Sequence, residues 1–66
     1  MDIVVNGTPR QAEAGATLLH LLESLGLRPG TVVVERNGGV VDRASYAMVT
    51  LAEADRLEIV RFVGGG

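Results

Sequence analysis

Few residues in this chain could do chemistry, and those that could gather at one end. Cysteine is absent, which excludes a thiolate nucleophile, a disulfide framework and a cysteine-held metal. His20 is the only histidine. It lies on the polar side of a leucine-rich stretch, with no cysteine or acid at a fixed spacing, and forms no catalytic constellation. The eight carboxylates show no metal-ligand spacing, and Asn37-Gly38-Gly39 is no phosphate loop because no helix follows at once. What remains is Gly64-Gly65-Gly66, directly behind the apolar run Leu57 to Val63. Glycine has no Cβ and tolerates backbone angles that other residues avoid, so such a tail can enter a channel too narrow for any side chain. Extended at about 3.3–3.6 Å per residue, it reaches roughly 10 Å past the preceding strand. It carries the Gly66 carboxylate outward as the candidate reactive group, with Gly65 giving steric access and Gly64 leading in. The competing reading is a frayed end, since termini often lack order.

The rest of the chain must position that tail. Its 66 residues make one small domain, which buries only about 60% of its unfolded surface and leaves little room for an enclosed cleft. A hydrophobic fraction of 47% is ample for a core, and a net charge of −2 gives no footprint for nucleic acid. All six basic residues are arginines, so no side-chain amine is present to accept an isopeptide bond. The start reads as a strand, not as a charged region followed by an apolar one, and no apolar run approaches the roughly 20 residues of a membrane span. The expectation is a cytoplasmic protein without a membrane partner.

Met1 to Val5 alternates like a strand with one buried face, and Asn6-Gly7 signals a tight hairpin turn. Thr8 to Ala14 is the expected return strand, with Pro9 suited to an edge. Thr17 is a helix N-cap candidate. Behind it Leu18, Leu21, Leu22 and Leu25 form one apolar stripe, and Gly26 and Pro29 end the helix after about nine residues. Val32-Val33-Val34 suits a mostly buried strand. Asn37-Gly38-Gly39 turns into the short pair Val40-Val41. Tyr46, Met48, Val49 and Leu51 are expected to anchor an irregular crossover, Asp55 reads as a turn residue, and Leu57 to Val63 is the last strand. This order predicts an α+β, β-grasp fold: a mixed sheet of four to five strands with one main helix packed across it. The first and last strands are then central and parallel. Residues 1–63 form the domain and residues 64–66 a flexible, reactive glycine tail.

On the last strand, burying Leu57 and Ile59 leaves Val60 and Phe62 in solvent, and the same register on the first strand exposes Val4. If the strands are neighbours, Val4, Val60 and Phe62 make an apolar patch at the root of the tail, a candidate partner surface with Arg61 beside it. A register slip of one residue would instead bury Phe62.

The opening MDIVVNG, the segments ATLLHLLESLGL and VVVERNGGVVDR, and above all the terminal DRLEIVRFVGGG resemble the ThiS family of ubiquitin-like sulfur carriers over the whole chain. One departure is Ala54, where the family commonly has glycine. The family's terminal glycine pair falls on Gly65 and Gly66. The resemblance implies a carrier that is not itself an enzyme and binds no cofactor. A ThiF/MoeB-type adenylating enzyme, using ATP and Mg²⁺, would convert the Gly66 carboxylate to an acyl-adenylate. Sulfur from a cysteine desulfurase would displace AMP to leave a thiocarboxylate, which thiazole synthase (ThiG) would draw on for thiamine. Carriers for molybdopterin or tRNA thiolation, a protein modifier and a pure binding module are the alternatives.

Overall fold

The computed structural model describes residues 1–62. The chain runs β1 (Asp2–Val5), β2 (Thr8–Gln11), α1 (Leu18–Ser24), a 3₁₀ turn at Pro29–Thr31, β3 (Val32–Arg36), β4 (Gly39–Val40), a second 3₁₀ turn at Arg43–Ser45 and β5 (Arg56–Arg61). The strands form one five-stranded sheet in the order β2-β1-β5-β3-β4. β5 lies in the middle, parallel to β1 and antiparallel to β3. This is the β-grasp arrangement that the order of the elements predicts.

Local sequence explains each element. Asn6 and Gly7 both hold positive φ, 49° and 80°, as a hairpin turn between right-twisted strands requires. The returning strand is shorter than expected and ends at Gln11. It is the sheet edge, where Pro9 costs no ladder hydrogen bond. Helix α1 has seven residues, too few to persist alone in water. The Thr17 side chain accepts the His20 N–H at 3.1 Å. The crossover carbonyls of Val49 and Tyr46 accept the N–H groups of Leu18 and Leu19, both at 2.9 Å. Three of the donors a helix start leaves open are thereby satisfied. At the other end Gly26, with φ 74°, closes the helix. Its N–H donates to Glu23 O and that of Leu27 to Leu22 O, the paired bonds of a Schellman cap.

The core lies between the sheet and α1. It combines Ile3 and Val5 from β1, the leucines of α1, Val32 and Val34 from β3, Leu57 and Ile59 from β5, and Tyr46 and Leu51 from the crossover. Leu18 and Leu22 are fully buried and Leu21 nearly so; at about 1.5–3 kcal/mol each, these three outweigh the poor intrinsic stability of so short a helix. Leu25, at the end of the stripe, is only half-buried. Met48 corrects an expectation: it is 81% exposed and anchors nothing, whereas Tyr46 and Leu51 flank it and are buried. Met48 N–H and Val49 N–H both donate to Ser45 O, and this tight turn points Met48 outward.

Candidate functional site

The element that leads to the glycines is β5, and the chain around it is arranged to hold it. At its start stands Asp55, the one buried charged residue among those described, 4% exposed. Its carboxylate accepts the Ala52 N–H at 2.8 Å, Arg36 Nε at 2.9 Å and Asn37 Nδ2 at 3.0 Å. Burial pushes the carboxyl up; the Ala52 amide, Asn37 and Arg36 with its charge together pull harder, so its pKa lies below the ordinary 3.8. Asn37 Oδ1 in turn accepts Arg56 N–H at 2.9 Å. The reading of Asp55 as a turn residue is therefore incomplete, since it fastens the start of β5 to the β3–β4 hairpin. The preceding Ala54 has φ 70°, a left-handed conformation that costs a residue with a Cβ about 1–2 kcal/mol. Its N–H donates to Asp2 O at 2.7 Å, which helps to hold it there.

The middle of β5 is fastened by Asn6. β1 pairs with β5 only at Val4–Arg56 and Val5–Leu57, then turns away. The Asn6 side chain takes over: Oδ1 accepts Ile59 N–H at 2.7 Å and Nδ2 donates to Ile59 O at 3.1 Å. A side-chain amide thus replaces one residue of strand pairing. Beyond Ile59, β5 is paired on its β3 side alone, through Val33–Val60 and Val32–Arg61 and a Phe62 N–H to Thr31 O bond of 2.9 Å.

The expected patch is partly redrawn. Leu57 and Ile59 face the helix, while Val60 and Phe62 are 61% and 53% exposed, so the register predicted for β5 is the one present. Val4, however, does not lie beside them. It stands next to Arg56, four residues from Val60, or about 13 Å along the strand. The parallel pairing of β1 with β5 is too short to bring Val4 further. The neighbour of Val60 is Val33 on β3. Arg61 is also displaced, because alternation puts it on the helix-facing side with Ile59, opposite Phe62. The Arg43 guanidinium instead stands over the Phe62 ring, 5.9 Å from its centroid. Glu35 and Glu58 face each other across β3 and β5, so the outer face carries an apolar cluster beside two like charges. Gly64, Gly65 and Gly66 lie outside the described residues, as does the Val63 end expected for the last strand.

Sequence reasoning did not single out Asn6 or Asn37 beyond their turns, Val33 as part of the patch, or Arg43 beside Phe62. The Asn-Gly pairs mark the turns, but nothing in them signals where the side chains reach. Among the described residues no group of three or more His, Asp or Glu could hold a metal ion, and no helix is long and apolar enough to cross a membrane.

Comparison with known proteins adds three results. The sequence model of the ThiS family matches residues 3–66. Thiazole synthases of Magnetococcus marinus and Paramagnetospirillum magneticum are 53% and 46% identical over all 66 residues, and the chain spans 20% of each of them. The sulfur carrier protein ThiS of Bacillus subtilis is 44% identical over 50 residues, 76% of either chain. In structure, the crystal form of a thiamine biosynthesis protein (ThiS) from Geobacter metallireducens superposes with a TM-score of 0.84 at 32% identity, covering 100% of both chains. The solution structure of a thiamine biosynthesis protein from that organism gives 0.79 over 100% of this chain and 88% of the other.

Proposed function

Because this chain belongs to the ThiS family, we propose that it is a sulfur carrier of thiamine biosynthesis, acted on by other enzymes, with the Gly66 carboxylate as its working group. The observation that carries the reading is the family match, which extends through the glycines to residue 66. The fastening of β5 supports it too. A strand clamped at Asp55 and Asn6 gives the residues behind it a fixed origin from which to enter a partner's site.

A carboxylate is a poor electrophile, since its charge is delocalised and an oxide is a bad leaving group. In the proposed sequence a Gly66 oxygen attacks the α-phosphorus of ATP on a ThiF/MoeB-type enzyme, releasing pyrophosphate and forming the acyl-adenylate. A persulfide supplied through a cysteine desulfurase adds through its terminal sulfur to the carbonyl carbon, and AMP leaves with the oxygen. A second thiol on the partner then attacks the inner sulfur, forms a disulfide with it and so supplies the two electrons, and a thiocarboxylate remains on Gly66. ATP and Mg²⁺ belong to the adenylating enzyme. Gly65 and Gly64 pass through its channel because they have no Cβ. The exposed cluster of Val60 and Phe62 is the proposed contact surface on the carrier, with Val33 added and with Val4 and Arg61 outside it. The two thiazole synthases among the relatives support a thiazole synthase as the sulfur acceptor, ahead of molybdopterin or tRNA thiolation.

Incubation with an adenylating enzyme, ATP, Mg²⁺ and a sulfur donor is expected to raise the intact mass by about 16 Da, sulfur replacing oxygen in a covalent modification of the chain end. An unchanged mass with an enzyme that demonstrably thiolates another carrier of the family rejects the reading.

A further inference from the structure

The displaced arginine, Arg61, opens a second surface that the sulfur chemistry leaves unused. We propose that the groove between the β1–β2 hairpin, the C-terminal end of α1 and the end of β5 docks an extended acidic-aliphatic peptide segment of a partner protein. Its apolar floor includes Leu25, Leu27 and Ile59. Arg10, Arg61 and Thr8 stand around that floor, and none of the described residues that line the groove carries a carboxylate. The one ion pair among the described residues is Arg36–Asp55, so neither Arg10 nor Arg61 is paired within them. In a chain of net charge −2, two arginines beside an acid-free groove make a local positive field that favours a negative occupant.

The backbone contributes a third feature. Partners in an antiparallel pair alternate between exchanging hydrogen bonds and facing away. Phe62 N–H donates to Thr31 O, so at the adjacent Val32–Arg61 pair the Arg61 N–H and C=O point to the other edge. That is the edge β1 has left, and Asn6 covers it only at Ile59. An extended segment lying there can pair with Arg61 as an added strand. Its alternate residues then point to opposite sides, aliphatic ones to the leucine floor and acidic ones to the arginines. A small dianion such as phosphate would leave the floor uncovered.

The test is a titration of the ¹⁵N-labelled chain with a hexapeptide alternating Leu or Val with Glu or Asp, followed by amide chemical shifts. Shifts are expected at Thr8, Arg10, Leu25, Leu27 and Arg61, and they should weaken as salt is raised. Arg10→Gln and Arg61→Gln should each reduce affinity roughly two- to fivefold and the pair about tenfold, the range for exposed charge pairs. Arg10→Lys and Arg61→Lys keep the charge and should retain binding, and unchanged melting curves verify that these surface variants are folded. The proposal is overturned by shifts centred on Val33, Val60 and Phe62, by equal binding of a peptide with Lys at its acidic positions, or by inorganic phosphate alone giving the same pattern. Absence of any shift at millimolar peptide also overturns it. None of these readouts involves thiolation, so failure here is separate from failure of the sulfur-carrier reading.

Discussion

Replacing Asp55 with alanine should destabilise the protein by about 3 kcal/mol, a large share of the stability a small domain has. The substitution removes one acceptor group and strands three donors: Ala52 N–H, Arg36 Nε and Asn37 Nδ2, all within 3.0 Å of the carboxylate. Hydrogen bonds to a charged group contribute about 1.5–3 kcal/mol each when buried, and neutral ones about 1. The Arg36 side chain is 31% exposed and regains water when its partner is lost, so the contribution from that pair is discounted towards the surface range of about 0–1 kcal/mol. The amide and Asn37 account for most of the remainder. A domain of this size loses about 4–8 °C of melting temperature per kcal/mol, which gives a drop of roughly 10–25 °C by circular dichroism. The sign with pH follows from the lowered pKa. The folded state holds the carboxyl below its ordinary 3.8, so its contribution is fully present above that value and is lost as pH falls through the folded pKa. The gap between wild type and Asp55→Asn should therefore narrow as acid is added below the ordinary carboxylate range. A loss under about 1 kcal/mol at neutral pH, within the range of ordinary surface changes, refutes the reasoning. A gap that does not vary with pH refutes it as well.

Four further outcomes are expected. Ala54→Gly should stabilise by roughly 0.5–1 kcal/mol in urea unfolding, the relief of a left-handed alanine less the added unfolded-state entropy; a loss would show that φ 70° is unstrained here. Asn6→Gly keeps the turn but removes both bonds to Ile59, so it should cost about 1–3 kcal/mol, whereas a neutral result would make Asn6 a turn residue only. Phe62→Asp should weaken binding of the adenylating enzyme tenfold or more while costing under about 1 kcal/mol, since the ring is half in solvent and its contact with Arg43 is a weak exposed one; a large fall in melting temperature contradicts this. Gly65→Val should abolish the mass increase and leave the melting curve unchanged, and a thiolated valine variant would remove the steric argument.

Much of the fold was legible because periodicity and turn chemistry agree along most of the chain. The leucine stripe of α1, the two Asn-Gly turns and the alternation in β5 each follow from local rules, and together they leave few topologies open. What was not legible depended on distance in sequence. Val4 and Phe62 share a face, but the length of the β1–β5 pairing decides whether they touch, and no local pattern encodes it. Asp55 looked like a turn residue because its partners Arg36 and Asn37 lie 19 and 18 positions away. Met48 sits in an apolar run without a clear period, where hydrophobicity alone cannot tell an anchor from an exposed neighbour.

The place of β5 in the sheet has a consequence for synthesis. The fifth strand of the sheet to be made is the one that joins β1 to β3, so a ribosome that stops before residue 56 releases a chain with two half-sheets and no common ladder. Such fragments expose the apolar faces of both halves and are open to proteases and chaperones. Completion of the fold therefore reports that the chain has been translated up to the segment leading into the glycines. A partner that recognises the assembled sheet thereby selects against truncated copies.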